Sequence, residues 1–314
     1  MNAVTLRLGS RRSPMAIAQS RLVAQQIKDA TGREVEIVGI TTLGDVSKAQ
    51  LNQIGGTGVF VSALREALLN GEVDLAVHSL KDLPAVQPAD VALAAVPTRD
   101  DPRDALVAHD GAKLADLPTG ARVGGSLRRA AQLLALRADL RCVQIRGNAG
   151  TRIAKIDAGE VDAVVLAYAG LTRIGRLDAV SQVFEPDEML PAPGQGALAV
   201  ECRQADHELV QLLGAVNDEL SMAATTAERA LLEALAAGCS APVAAYAAVV
   251  NDSLDMRAAV LSADGSRVLR ANGRGTAANA RRLGADIAAE LLHAGAAELI
   301  RVPQAPVSTG NDAQ

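Results

Sequence analysis

The sequence predicts an α/β protein made of two similarly built domains, followed by a smaller α+β domain. Three observations support this. Up to about residue 215, apolar strand-like runs alternate with helical stretches, the pattern of sheets joined by crossover helices. The segment Gly71-Glu-Val-Asp-Leu-Ala-Val77 recurs almost verbatim as Gly159-Glu-Val-Asp-Ala-Val-Val165, each copy lying between a helical stretch and a loop. From about Asn217 the character changes to a long helix, three strands and another helix.

Composition narrows the function. With 314 residues, 49% hydrophobic and 21% charged, the chain is globular and too long for one ordinary core. It has no Trp, and its aromatics are Tyr168, Tyr246, Phe60 and Phe184. The cores must therefore be aliphatic, and base-stacking platforms for nucleic acid are not expected. A net charge of −5 argues against a polyanion binder. No apolar run is long enough to span a membrane. After Arg7, Arg11 and Arg12 the stretch Met15-Ala-Ile-Ala is cut short by Gln19, so no secretory core forms and a cytoplasmic protein is expected. Cys142, Cys202 and Cys239 make no CxxC pair, and the four histidines are scattered; neither a disulfide framework nor a metal site is expected.

In chain order, Val4–Leu8 reads as a strand, and Ser13 then Pro14 mark the N-cap and first turn of a helix to about Lys28. A strand at Val35–Ile40 leads to a long loop ending in Gly55-Gly-Thr-Gly58, a candidate lid that lacks the Lys-Ser/Thr ending of a phosphate loop. A helix over about Phe60–Leu69 precedes the strand Val73–Val77. In the second domain, strands are expected at 105–108, 122–124, 141–145 and 163–166, with helices at 127–136 and 151–158. Leu190–Glu201 reads as a turn-rich crossover into a further strand that returns the chain to the first sheet. The third domain combines helices at 219–236 and about 277–293 with strands at 243–250, 254–260 and 267–271. The expected domains are 1–96 with 197–215 returning to it, 97–196, and 216–303, with a disordered tail at 304–314.

The chain is organised around Leu75-Ala-Val-His-Ser-Leu-Lys-Asp-Leu-Pro84, where an apolar strand turns abruptly polar. In an open α/β sheet the carboxyl ends of strands are where ligands bind, although a solvated strand exit is the plain alternative. The internal repeat places an equivalent strand end opposite, ending at Arg173. From 122 to 155 stand Arg122, Arg128, Arg129, Arg137, Arg141, Arg146, Arg152 and Lys155 against Asp139 alone. Arg137 and Arg141 fit a solvated face. Arg128, Arg129, Arg146 and Arg152 fall at strand ends or helix starts on the crevice side. Guanidinium forks suit carboxylates and phosphates, so the expected ligand is a small polyanion, with several carboxylates the favoured form. Cys142 and Cys202 read as buried strand residues. Cys239 sits on a short loop between Gly238 and Pro242. On pattern alone a packed loop thiol is the plain reading; a helix C-terminus does not favour a thiolate, so if Cys239 has chemistry, a once-made covalent attachment suits it better than turnover.

Taken together, Arg11–Pro14, HSLKDLP at 78–84, DDPRDA at 100–105, SLRR at 126–129, RGNAGTR at 146–152, AGLTR at 169–173, LPAPGQGAL at 190–198 and GCSAP at 238–242 resemble the porphobilinogen deaminase (hydroxymethylbilane synthase) family over nearly the whole chain. The resemblance implies two periplasmic-binding-protein-like (type II) domains plus a cofactor-carrying third domain. It implies a monomeric transferase that joins four porphobilinogen molecules head to tail into hydroxymethylbilane, releasing ammonia each time. The chain would grow on a dipyrromethane cofactor held by a thioether to Cys239. Asp82 matches the family's catalytic aspartate, which stabilises positive charge on the pyrroles. The binding set would be Arg11, Arg128, Arg129, Arg146, Arg152 and Arg173, with Lys81, Ser13, Ser79 and Ser126 as neighbours. Neighbouring arginines would keep Asp82 ionised. Three positions depart from the family pattern: Thr57 replaces a common Lys, Gly124-Gly-Ser126 is one residue shorter, and Ala236-Ala-Gly-Cys239 replaces a Gly-Gly-Cys ending. Two further readings are a two-domain sensor for a carboxylated ligand and, less favoured, a nucleic-acid binder using the 122–155 run.

Overall fold

The computed structural model describes residues 5–40, 58–238 and 241–300. Val4, the lid residues 55–57, Cys239 and the 304–314 tail lie outside the described residues. The first sheet begins with β1 (Leu6–Arg11), which pairs in parallel with β2 (Val35–Ile40) and β3 (Leu75–Ser79). Helix α1 (Pro14–Thr31) starts where expected: the Ser13 hydroxyl accepts the Ala16 N–H at 3.3 Å. Helix α2 (Gly58–Leu69) precedes β3, and β4 (Val91–Ala95) forms an edge that the sequence reading did not anticipate.

The second sheet contains β5 (Asp104–Ala108), β6 (Arg122–Gly125), β7 (Arg141–Gln144), β8 (Ala163–Ala167) and β9 (Gln182–Val183). Helices α3 (Leu127–Leu136), α4 (Ala149–Asp157) and α5 (Tyr168–Arg173) connect them. The chain then returns as β10 (Leu198–Arg203) to the first sheet, antiparallel between β3 and β4. The strand orders are β2-β1-β3-β10-β4 and β7-β6-β8-β5-β9. Each sheet thus holds an antiparallel strand in the fourth place, β10 in one and β5 in the other. This is the periplasmic-binding-protein-like type II arrangement, built twice.

The sequence repeat has a structural cause. Asp74 accepts the Arg7 backbone N–H at 2.8 Å and its guanidinium at 2.8 and 3.2 Å. Asp162 does the same for Arg122, at 2.6, 2.9 and 3.3 Å. In both sheets an aspartate before the third strand in the order staples the start of its neighbour, fixing register by a bidentate pair.

Among the strands whose bounds differ from the sequence expectation, two bear on the site. β1 extends to Arg11, and β3 occupies 75–79 instead of 73–77. The shift follows from long-range pairing: Ser79 and His78 lie opposite Leu198 and Ala199 of β10, a partner more than a hundred residues away. Arg137 also departs from the solvated-face reading. Its guanidinium donates to the Leu114 and Leu117 carbonyls at 2.8 and 3.0 Å, holding the loop before β6.

The remaining elements are α6 (His207–Leu213), α7 (Glu219–Ala234), the antiparallel strands β11 (Val243–Val250), β12 (Ser253–Leu261) and β13 (Val268–Gly275), then α8 (Ala280–His293) and α9 (Ala296–Ile300). Ala-rich α7 and α8 cross closely; a Cβ at Gly284 would lie 2.1 Å from the Ala227 carbonyl oxygen.

The two sheets are joined through residues 96–103 and 184–197, and these segments touch. Gly196 has φ +87°, and a Cβ there would fall 2.4 Å from the Asp100 carbonyl oxygen. Fully buried Glu228 of α7 binds both segments. It accepts from Arg99 at 2.7 and 3.1 Å, from the Gly194 N–H at 2.6 Å and from the Ala247 N–H at 2.8 Å. Removing one member of a buried ion pair leaves the other unpaired. Glu228→Ala is therefore expected to cost about 3–5 kcal/mol, measured as a fall in the urea midpoint of unfolding.

Candidate active site

A cavity of about 630 Å³ lies where the carboxyl ends of the two sheets' parallel strands meet. From the first sheet come Arg11 at the end of β1, Ser13 at the start of α1, Ser79 at the end of β3, and Lys81 and Asp82 in the 3₁₀ turn that follows. From the second come Arg129 on α3, Arg152 on α4 and Arg173 on α5. Among the described residues of the lining, Asp82 is the carboxylate, and it shares the cavity with the cations Arg11, Lys81, Arg129, Arg152 and Arg173.

Protein atoms hold several of these groups in place. The Ser79 hydroxyl accepts from Gln19 Nε2 at 2.8 Å. Arg173 donates to Asp100 Oδ2 at 2.8 Å and to the Gly196 carbonyl at 2.6 Å, so it reads the crossover as well as facing the cavity. Arg152 donates to the Gly147 carbonyl at 2.8 Å, and Asn148 caps α4 through the Thr151 N–H at 2.9 Å. Lys81 Nζ donates to Gln195 Oε1 at 3.1 Å. Burial lowers the Lys81 pKa to about 8, with Arg129 adding to the effect and Asp82 opposing it. A cation destabilised in this way gains most from an incoming anion.

Three expected binding residues lie away from the cavity lining. Arg128 is buried, with Nη2 on Asp104 Oδ2 at 2.7 Å and Nη1 on the Leu190 carbonyl. Ser126 is exposed at the N-cap of α3, and Arg146 is exposed just beyond β7. β6 runs through Ser126 into α3, and because adjacent residues of a helix diverge at 3.6 residues per turn, Arg129 faces the cavity and Arg128 faces Leu190. His78 is buried beside Glu201, 3.4 Å from Oε2, and Glu201 also binds Arg65 at 2.6 and 3.0 Å. Burial pushes the Cys142 and Cys202 thiols up to about 11, so neither is nucleophilic at neutral pH.

Sequence reasoning quoted Asp104 and Gln195 inside motifs but assigned them no role. Gln195 is 1% exposed and sits between the two walls. The local signal for Asp104 is a lone acid opening an apolar strand. Among the described residues there is no metal-holding cluster of His, Cys, Asp or Glu. No described helix is long and apolar enough to cross a membrane.

Residues 6–211 match the family model described as porphobilinogen deaminase, dipyromethane cofactor binding domain. The chain belongs to the porphobilinogen deaminase family. Residues 222–293 match the model of that family's C-terminal domain. A porphobilinogen deaminase of Thermobifida fusca is 56% identical, over 96% of this chain and 97% of that protein. Porphobilinogen deaminase 1 of Streptomyces coelicolor is 52% identical over 96% and 98%, and the Mycobacterium marinum enzyme is 50% identical over 94% and 96%. The sensor and nucleic-acid readings give way to this membership.

The Lys81 environment yields a direct expectation. In Cys239→Ser protein lacking any attached group, Lys81 Nζ followed by NMR should titrate near pH 8. Added porphobilinogen should shift that titration upward, because its carboxylates favour the charged amine. A titration near the ordinary lysine value in free protein would contradict the burial argument.

Proposed function

We infer that this cavity is where the chain carries out its family's reaction, with Asp82 as the catalytic group. The reaction joins four porphobilinogen molecules head to tail, expels one ammonia for each and consumes one water on release of hydroxymethylbilane. The observation that carries the reading is that, among the described residues, five cations and one carboxylate line a single cavity at the junction of the two sheets. Porphobilinogen bears an acetate and a propionate, so every unit added brings two negative charges into the cavity.

The dipyrromethane cofactor fits the same chemistry, since it too is a polycarboxylate and the lining is cationic. When bound, it supplies the primer to which substrate units are joined. Arg11, Arg129, Arg152, Arg173 and Lys81 are proposed to hold carboxylates, with the hydroxyls of Ser13 and Ser79 beside them. Arg128, Ser126 and Arg146 enter with a different status, being outside the cavity lining. The bonds of Arg128 to Asp104 and Leu190 support a part in holding α3. Cys239 is proposed as the attachment residue.

Expelling ammonia leaves positive charge on the substrate pyrrole, and forming each carbon–carbon bond places charge on the attacked ring until its α-proton leaves. Asp82 ends a rigid turn and is half-buried. A fixed carboxylate there stabilises that charge without reorganisation. The cationic walls orient the substrate through groups that do not react. The proposal also takes the domains as 1–96 with 197–215, 97–196 and 216–303, and the protein as a cytoplasmic monomer.

Asp82→Asn, which keeps shape and removes charge, should lower turnover about 100-fold or more in a porphobilinogen-consumption assay. Intact mass should reveal a dipyrromethane adduct that is absent from Cys239→Ser. Near-normal turnover by Asp82→Asn, or an adduct persisting in Cys239→Ser, would sink the respective assignment.

A further inference from the structure

We propose that Asp104 is a positioning residue, whose buried carboxylate aims the Arg129 guanidinium and the Gln195 amide into the cavity wall. This rests on the cavity being the substrate site. Asp104 is fully buried at the first position of β5. Oδ1 accepts from Arg129 Nε and Nη2 at 2.9 and 2.8 Å and from Gln195 Nε2 at 2.9 Å, while Oδ2 accepts from Arg128 Nη2 at 2.7 Å. Both oxygens are thus bonded by protein donors, and full burial keeps the carboxylate out of the cavity lining, so Asp104 acts on a ligand only through those donors.

Two consequences follow from the bonding. Arg128 and Arg129 are adjacent buried cations that repel each other, and one carboxylate between them leaves a single net positive charge, with Arg129 at the cavity. Gln195 is oriented in the same way. Its Nε2 donates to Asp104 and to the Pro102 carbonyl at 2.7 Å, so Oε1 must face Lys81 Nζ at 3.1 Å and Arg129 Nη2 at 3.3 Å. An amide turned the other way would present N–H groups to two cations. The chain Lys81–Gln195–Asp104–Arg129 thus links the first wall to the second through the return crossover. Burial favours the neutral acid, but Arg128 and Arg129, with the Gln195 hydrogen bond, hold the Asp104 pKa down to about 2. The aiming charge is therefore present at any working pH.

The test uses the holoenzyme carrying Asp104→Asn, and a charge-balanced Asp104→Asn/Arg128→Gln double variant in case the single one does not fold. Porphobilinogen KM is expected to rise on the order of 10-fold, with kcat changed much less, in whichever variant is folded. In 15N spectra, the discrete Arg129 Nε–H signal, assigned by its loss in Arg129→Lys, should broaden or shift. Wild-type KM in a folded variant, with stability alone reduced, overturns the inference, as does an unmoved Arg129 signal. Asp82→Asn assayed in parallel separates the two readings: near-normal turnover there removes the catalytic role of Asp82, while the Asp104 inference is decided by KM and the Arg129 signal.

Discussion

A single buried carboxylate, that of Glu228, connects all three parts of the molecule. Its four hydrogen bonds reach both crossover segments and the first strand of the third sheet. The segments must lie against each other because the third part holds them there, and Arg99 adds a bond to the Gln195 carbonyl at 2.8 Å. Everything at the cavity depends on this junction, since Lys81, Asp82 and Arg11 stand on one side of it and Arg129, Arg152 and Arg173 on the other.

The cavity is an electrostatic problem only partly solved within the protein. Arg129 and Arg173 have aspartate partners, whereas among the described residues Lys81 donates to an amide oxygen. Such an arrangement is strained toward accepting anions. A substrate that brings two carboxylates with each unit is the matching counter-charge. The separation of roles between Arg128 and Arg129 shows how this is controlled: one guanidinium is spent on packing α3, and its neighbour keeps net charge for the ligand.

Much of the architecture was legible in the primary structure. Alternating apolar runs, the Ser13-Pro14 helix start and the paired Gly-Glu-Val-Asp segments predicted elements within a few residues of those observed. The repeat was legible because its aspartate does the same work twice, stapling Arg7 and Arg122. The edge strand β4 and the true end of β3 were not, because pairing with the distant β10 sets both. Motif resemblance pointed to Asp82 with Arg11, Arg128, Arg129, Arg146, Arg152, Arg173, Lys81, Ser13, Ser79 and Ser126 as one set, of which Arg128, Arg146 and Ser126 lie outside the cavity lining. It could not separate Arg128 from Arg129, which share one motif and face different sides of one helix.

By itself, the sequence determined the family, the doubled α/β plan and the excess of arginine over acid in the second unit. These depend on residue type and spacing along the chain. Only the tertiary structure decided which arginines meet the cavity, and that Asp104 and Gln195 stand behind them. Those facts depend on contacts between residues 24 to 114 positions apart, where burial rather than local pattern sets the partner of each charge.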